Sequence, residues 1–263
     1  MLGEFAIGQH VPGDSFLHRL DPRTKMGMVA GFVVLMFAVN TGWGYAAGAA
    51  LLAGGVLASR LSPGWVLRSL KPVLVLVLLS VLFNAFGSPG EALWRWGPLT
   101  LTREGLERAV MVGARLLLLV ASASLLTLTT SPIDLTDALE RILAPARRLG
   151  VPAHELAMMM TIALRFIPTL IEEADRIMKA QMARGAAFGR GSPLERAKSL
   201  LPILVPLFVG AFRRADELAL AMEARAYRGG VGRTRLRQLR MRPADYATLA
   251  GFAVVATAVG LWL

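Results

Sequence analysis

Two arginines stand in matching surroundings 41 residues apart, Arg184 and Arg225. The same offset places Ala174-Asp175 on Ala215-Asp216, Ala180 on Ala221 and Ala183 on Ala224. The first segment closes as Gln181-Met182-Ala183-Arg184-Gly185, the second as Met222-Glu223-Ala224-Arg225-Ala226-Tyr227-Arg228-Gly229-Gly230. Glycine after a helical run stops the helix, so each guanidinium is expected at a helix end. A guanidinium can form two parallel hydrogen bonds with a carboxylate, a geometry that lysine cannot copy. A single arginine in this position commonly does no more than offset the helix dipole, worth roughly 0.3–1 kcal/mol. Duplication at one spacing favours docking onto a partner that presents its site twice.

Other chemistry has little support. His10, His18 and His154 are scattered, and neither a Gly-x-Ser-x-Gly nor a Gly-x4-Gly-Lys-[Ser/Thr] pattern occurs, so the chain has no P-loop with which to hydrolyse ATP. With no cysteine there is no disulfide, thiolate metal site or thiol nucleophile, and neither a metal nor a cofactor is expected. A competing reading gathers Arg165, Arg184 and the acidic cluster Glu172-Glu173-Asp175 around a lipid headgroup, making a multispan membrane enzyme. A channel or independent secondary transporter would need polar residues within its spans; Arg115, Asn84 and a few Ser and Thr are nearly all there are.

The elements that position the tips belong to a membrane protein. Over 263 residues, 55% are hydrophobic and the mean hydropathy is +0.54, too apolar for soluble domains. The net charge of +11 resolves once positions are considered: 19 of the 29 Lys and Arg fall between residues 131 and 245. Basic residues concentrate on the cytoplasmic side and meet anionic headgroups there. No aromatic-basic RNA motif accompanies them, so nucleic acid is not an expected partner. The first 23 residues carry acids and no apolar core, unlike a cleaved signal peptide.

The expected fold is all-α: about five transmembrane helices and a cytoplasmic-side insert of long amphipathic helices. Apolar runs at 26–39, 46–59, 72–86 and 105–130 make residues 1–130 an N-terminal segment with four spans. The second follows a tight turn at Asn40-Thr41-Gly42, and residues 87–104 read as an outside loop with Trp94 and Trp96 as interfacial anchors. Arg115, within the fourth span, either snorkels to the outer interface or faces protein or water. Residues 131–230 form the coupling region: one amphipathic helix to Leu149, a longer one from Ala153 to Arg184 with a kink expected at Pro168, and a third opened by Pro193. Residues 231–263 are a basic linker and a last span. In the long helix, residues 156–167 are nearly all apolar, and the polar face begins at Glu172. Met158-Met159-Met160 suit either core filling or a surface that accepts several partners.

The opening Ile7-Gly8-Gln9-His10-Val11-Pro12-Gly13-Asp14-Ser15, the block His18-Arg19-Leu20-Asp21-Pro22-Arg23-Thr24-Lys25 and the paired tips resemble the transmembrane T component (EcfT) of energy-coupling factor vitamin transporters, related to the CbiQ proteins of cobalt uptake. The resemblance covers essentially the whole chain. It implies a scaffold, not an enzyme, in the cell's inner membrane, with its coupling helices on the cytoplasmic side. It also implies that two short motifs, Ala183-Arg184-Gly185 and Ala224-Arg225-Ala226, dock into two ABC ATPase subunits (EcfA type, a homo- or heterodimer). ATPase closure would then move a separate substrate-binding S component that takes a vitamin or other micronutrient, with Leu156, Met159, Met160, Ala163 and Ile167 as its expected contacts. Ala226 stands where that family commonly has glycine, so the second helix is expected to run on to Gly229-Gly230.

Overall fold

A computed structural model describes residues 11–89, 91–96, 99–150, 152–186, 188, 192–229 and 239–262. The first residues of the N-terminal block, Ile7 to His10, and much of the basic linker lie outside the described residues. Helices occupy Phe16–Arg19 (α1), Pro22–Ala38 (α2), Gly42–Ser59 (α3), Pro63–Gly87 (α4), Arg103–Thr129 (α5), Pro132–Leu143 (α6), Ala153–Ala183 (α7), Pro193–Ala224 (α8) and Pro243–Trp262 (α9). The protein is an all-α polytopic membrane protein. By length and composition, α4, α5 and α7 are each long and apolar enough to cross a membrane.

Three local features depart from the sequence expectation. The loop expected outside is a short antiparallel hairpin, Ala92–Trp96 (β1) with Leu99–Thr102 (β2), whose backbone register pairs Trp94 with Leu101 and Trp96 with Leu99. Two paired strands satisfy backbone groups that an open loop would leave to water. The third helix starts at Pro63, not near Pro72: Pro63 occupies the first helical turn, where its missing N–H costs nothing, and Pro72 is carried inside the helix. The amphipathic helix expected to reach Leu149 stops at Leu143 and continues as a 3-10 helix, Ala144–Leu149, because Pro145 has no N–H and cannot extend the α-helical ladder.

The chain divides into two compact units, one comprising the described residues of 8–138 and 239–263, the other those of 139–238. In the first unit, Phe32, Leu35, Met36, Val39 and Tyr45 form a buried cluster with Met111, Leu118 and Phe252 packed around it. A second cluster joins Val66, Ala121 and Leu128. Outward-facing Val75, Leu78 and Phe83 of α4 remain exposed, as lipid-facing residues should.

The N-terminal block forms a polar clamp within this unit. Asp21 caps α2 by accepting from Arg23 N–H, and Arg23 also donates to the Leu239 carbonyl. The Lys25 Nζ donates to the carbonyls of Thr129 and His18 and to Thr130 Oγ1. Ser15 caps α1 and bonds His18 Nδ1, while His18 Nε2 meets the Val11 carbonyl. Asp245, only 1% exposed, accepts from the Asp21 and Arg242 amides at 2.7 Å each. Removing a buried acceptor strands its donors, at about 1–3 kcal/mol per group. Asp245→Ala should therefore destabilise the protein by roughly 2–4 kcal/mol and Asp245→Asn by less, read as the midpoint of thermal unfolding in lipid nanodiscs.

Candidate functional site

The second unit carries the repeat, and the repeat is one of backbone geometry as well as of sequence. The helix α7 ends at Ala183, with Arg184 as its C-cap at φ −86°, ψ 9°, and α8 ends at Ala224, with Arg225 at φ −91°, ψ 14°. The residues that follow, Gly185 and Ala226, both adopt the left-handed conformation, at φ 89° and 53°. The amide of Gly185 donates to the Met182 carbonyl and that of Ala186 to Gln181; equivalently, Ala226 donates to Glu223 and Tyr227 to Met222. Each tip is thus a complete Schellman cap, with two of the last free carbonyls satisfied.

This corrects the expectation for the second helix. It stops at the same repeat position as the first and does not run on to Gly229-Gly230. Left-handed backbone costs a residue with a Cβ about 1–2 kcal/mol, and the two capping hydrogen bonds hold Ala226 there nonetheless. Both arginines are exposed, and among the described residues neither guanidinium makes a hydrogen bond or ion pair.

The two helices run antiparallel. Progressing along α7, Met158 meets Tyr227, Glu173 meets Arg214 and Gln181 reaches the Pro202 carbonyl, so partners fall in number as α7 rises. Glu173 and Arg214 occupy equivalent positions in the 41-residue repeat, and their side chains form an ion pair at 2.5 Å. Gly210 lets the helices approach: a Cβ there would lie 2.8 Å from Glu173 Oε1. Contact between equivalent positions of two antiparallel repeats is what a local twofold axis through the crossing produces. Each arginine follows its crossing residue by 11 positions, so each tip lies roughly 16 Å along its helix from the crossing, at 1.5 Å per residue.

The faces of α7 are divided. Ile162, Phe166 and Leu170 line a cavity of about 690 Å³ against Ala215, Leu218 and Met222 of α8. Around the helix, Leu156, Met159, Met160 and Ala163 are exposed and Ile167 is half-buried, forming one stripe at helical spacing. Met158 departs from its two neighbours, taking a hydrogen bond from the Tyr227 hydroxyl.

Residues 13–236 match the CbiQ family, described as cobalt transport protein. Three relatives are energy-coupling factor transporter transmembrane proteins EcfT. The one from Thermosediminibacter oceani is 53% identical over 253 residues, covering 96% of each chain. That of Acidaminococcus fermentans is 54% identical over 248 residues, 94% of this chain and 92% of the relative. That of Brevibacillus brevis is 51% identical over 263 residues, 100% of this chain and 99% of the relative. The chain belongs to the EcfT/CbiQ family.

Within an EcfT-type chain the remaining residues fall into place. The acids proposed for a headgroup enzyme do not converge: Glu173 is held by Arg214, Asp175 by Lys179 at 2.6 Å, and Arg184 lies three turns further along the same helix. No cluster of three or more His, Cys, Asp or Glu suited to a metal occurs among the described residues. Arg115 has a structural task. Its guanidinium donates to the Val39 carbonyl, Asn40 Oδ1 and the Tyr45 hydroxyl, and stacks over Phe37 and Tyr45, thereby closing the end of α2.

A second apolar surface, not expected from the sequence, lies on α8, where Leu201, Leu204, Val205, Phe208, Val209 and Phe212 are all exposed. Pro202 and Pro206 are both carried inside this helix. The signal for it was the apolar run from Leu200 to Phe212 within the third helix of the coupling region. Because Ala226 is strained and Gly185 is not, Ala226→Gly should raise stability by up to about 1 kcal/mol, while Gly185→Ala should lower it by roughly 1–2 kcal/mol. Equilibrium unfolding monitored by circular dichroism separates the two.

Proposed function

We propose that this chain is the non-catalytic membrane scaffold of an energy-coupling factor importer, and that Arg184 and Arg225 dock into two ABC ATPase subunits on the cytoplasmic side of the cell membrane. One observation carries the reading. Two exposed arginines, unpaired among the described residues and with the same cap geometry, stand at equal distances from a crossing between repeat-equivalent residues. A pair of ATPases related by a twofold axis offers two equivalent acidic grooves, and a local twofold in the scaffold presents one cation to each. The relatives named as energy-coupling factor transporter proteins support the same reading.

The mechanism follows from the lever geometry. Approach of the ATPases on binding ATP changes the separation of the tips. Because α7 and α8 are continuous and meet at Glu173–Arg214, the displacement passes through the crossing to their far halves. There the exposed stripe of Leu156, Met159, Met160, Ala163 and Ile167, together with the apolar face of α8, receives the S component that carries the vitamin or micronutrient. Flexible thioethers at Met159 and Met160 suit a surface that accepts more than one such partner.

Arg184→Ala and Arg225→Ala should each weaken assembly with the ATPases, and the double change should abolish substrate uptake by proteoliposomes; Lys at either position should restore little, because it lacks the bidentate fork. Normal uptake in the double variant would refute docking. Met160→Asp or Phe208→Asp should instead leave ATPase assembly intact and reduce capture of the S component in a co-purification assay, whereas Met160→Leu should be tolerated.

A further inference from the structure

The two tips share a backbone but differ in the residue that follows. Where the first has Ala186, the second has Tyr227, whose hydroxyl lies 2.9 Å from Met158 Sδ and 3.3 Å from His154 Nε2. His154 Nδ1 lies 3.0 Å from Glu140 Oε1, and both side chains are only 12% exposed. Three elements therefore converge on the residue two positions beyond Arg225: α6 through Glu140, the start of α7 through His154 and Met158, and the end of α8 through Tyr227 itself. The carboxylate fixes the ring orientation by accepting from Nδ1–H. With His154 neutral in that tautomer, Nε2 accepts the Tyr227 O–H; with both ring nitrogens protonated, Nε2–H donates to the Tyr227 oxygen and the hydroxyl donates to Met158. In either state the hydroxyl has a partner, so the connection is kept.

We infer that Glu140, His154 and Tyr227 form a latch that immobilises the second tip, making His154 and Tyr227 positioning residues for Arg225, with no counterpart at Arg184, where alanine follows. The latch adds to the two capping hydrogen bonds that hold Ala226 left-handed, by anchoring the side chain of the next residue on another helix. It rests on the docking reading for its purpose, since a fixed cation enters a groove without the ordering cost that a mobile one bears.

The chain's lack of cysteine makes the test direct. Ala183→Cys and Ala224→Cys each supply a single thiol for a nitroxide, whose mobility is read by continuous-wave electron paramagnetic resonance on the full chain in nanodiscs. Tyr227→Phe and His154→Leu should each raise mobility at position 224 and leave position 183 unchanged. His154→Gln, whose amide still reaches the hydroxyl, should largely restore the immobilised spectrum. In the assembled transporter the same Phe and Leu changes should weaken ATPase binding by roughly threefold to tenfold, the worth of one net hydrogen bond. An unchanged spectrum at 224, or equal loosening at both positions, would overturn the latch. Retention of ATPase binding by Arg225→Ala would overturn docking alone, because the mobility comparison is made without the ATPases.

Discussion

The meeting of Glu173 and Arg214 governs the geometry of the coupling region. A partly exposed ion pair contributes little stability, on the order of 1 kcal/mol or less, so its importance is positional. It fixes the register in which two helices of more than thirty residues pass each other, and Gly210 admits the close approach by having no Cβ. Register determines where the tips lie. A slip of one turn would displace each arginine by about 5 Å relative to the crossing, and the equal spacing of the tips would be lost.

Helix termination is the second constraint, and it is solved twice by the same means. A helix end leaves carbonyls unsatisfied, and each tip closes them with a left-handed residue directly after the arginine. The cap orients that arginine as well, because a C-cap residue sits at the last position whose backbone the helix still holds. The difference between Gly185 and Ala226 shows how far local preference can be overridden: alanine disfavours this conformation, yet the hydrogen bonds of Ala226 and Tyr227 to the preceding turn are formed as they are at the glycine tip.

The first unit solves a different problem, that of closing helix ends where water is scarce. Asp245, Lys25 and Arg115 each carry charge, and each is committed to backbone carbonyls or amides that would otherwise be unpaired. The block running from His18 to Lys25, which carried much of the family resemblance, therefore acts in this structure as a fastening between the start of α2, the end of α5 and the approach to α9. A residue pattern can mark a family because it stabilises the fold, without touching a substrate.

Much was legible in the chain alone, because helices are local. Apolar periodicity, capping residues and prolines mark the long helices, and the 41-residue offset marks the paired tips. The equivalence of Glu173 and Arg214 was latent in that same offset, but only packing brought them into contact. Where a signal depended on residues distant in sequence, the chain was silent: Asp21 and Asp245 are 224 positions apart, and nothing near either announces the other. Tyr227 likewise reads as an ordinary residue beyond a helix end until His154 and Met158, some seventy positions earlier, are brought against it. Sequence determined the helices and the repeat through short-range preferences. Tertiary structure decided the crossing, the early stop at Ala226 and the polar clamp, because those depend on hydrogen bonds that only a folded chain can make.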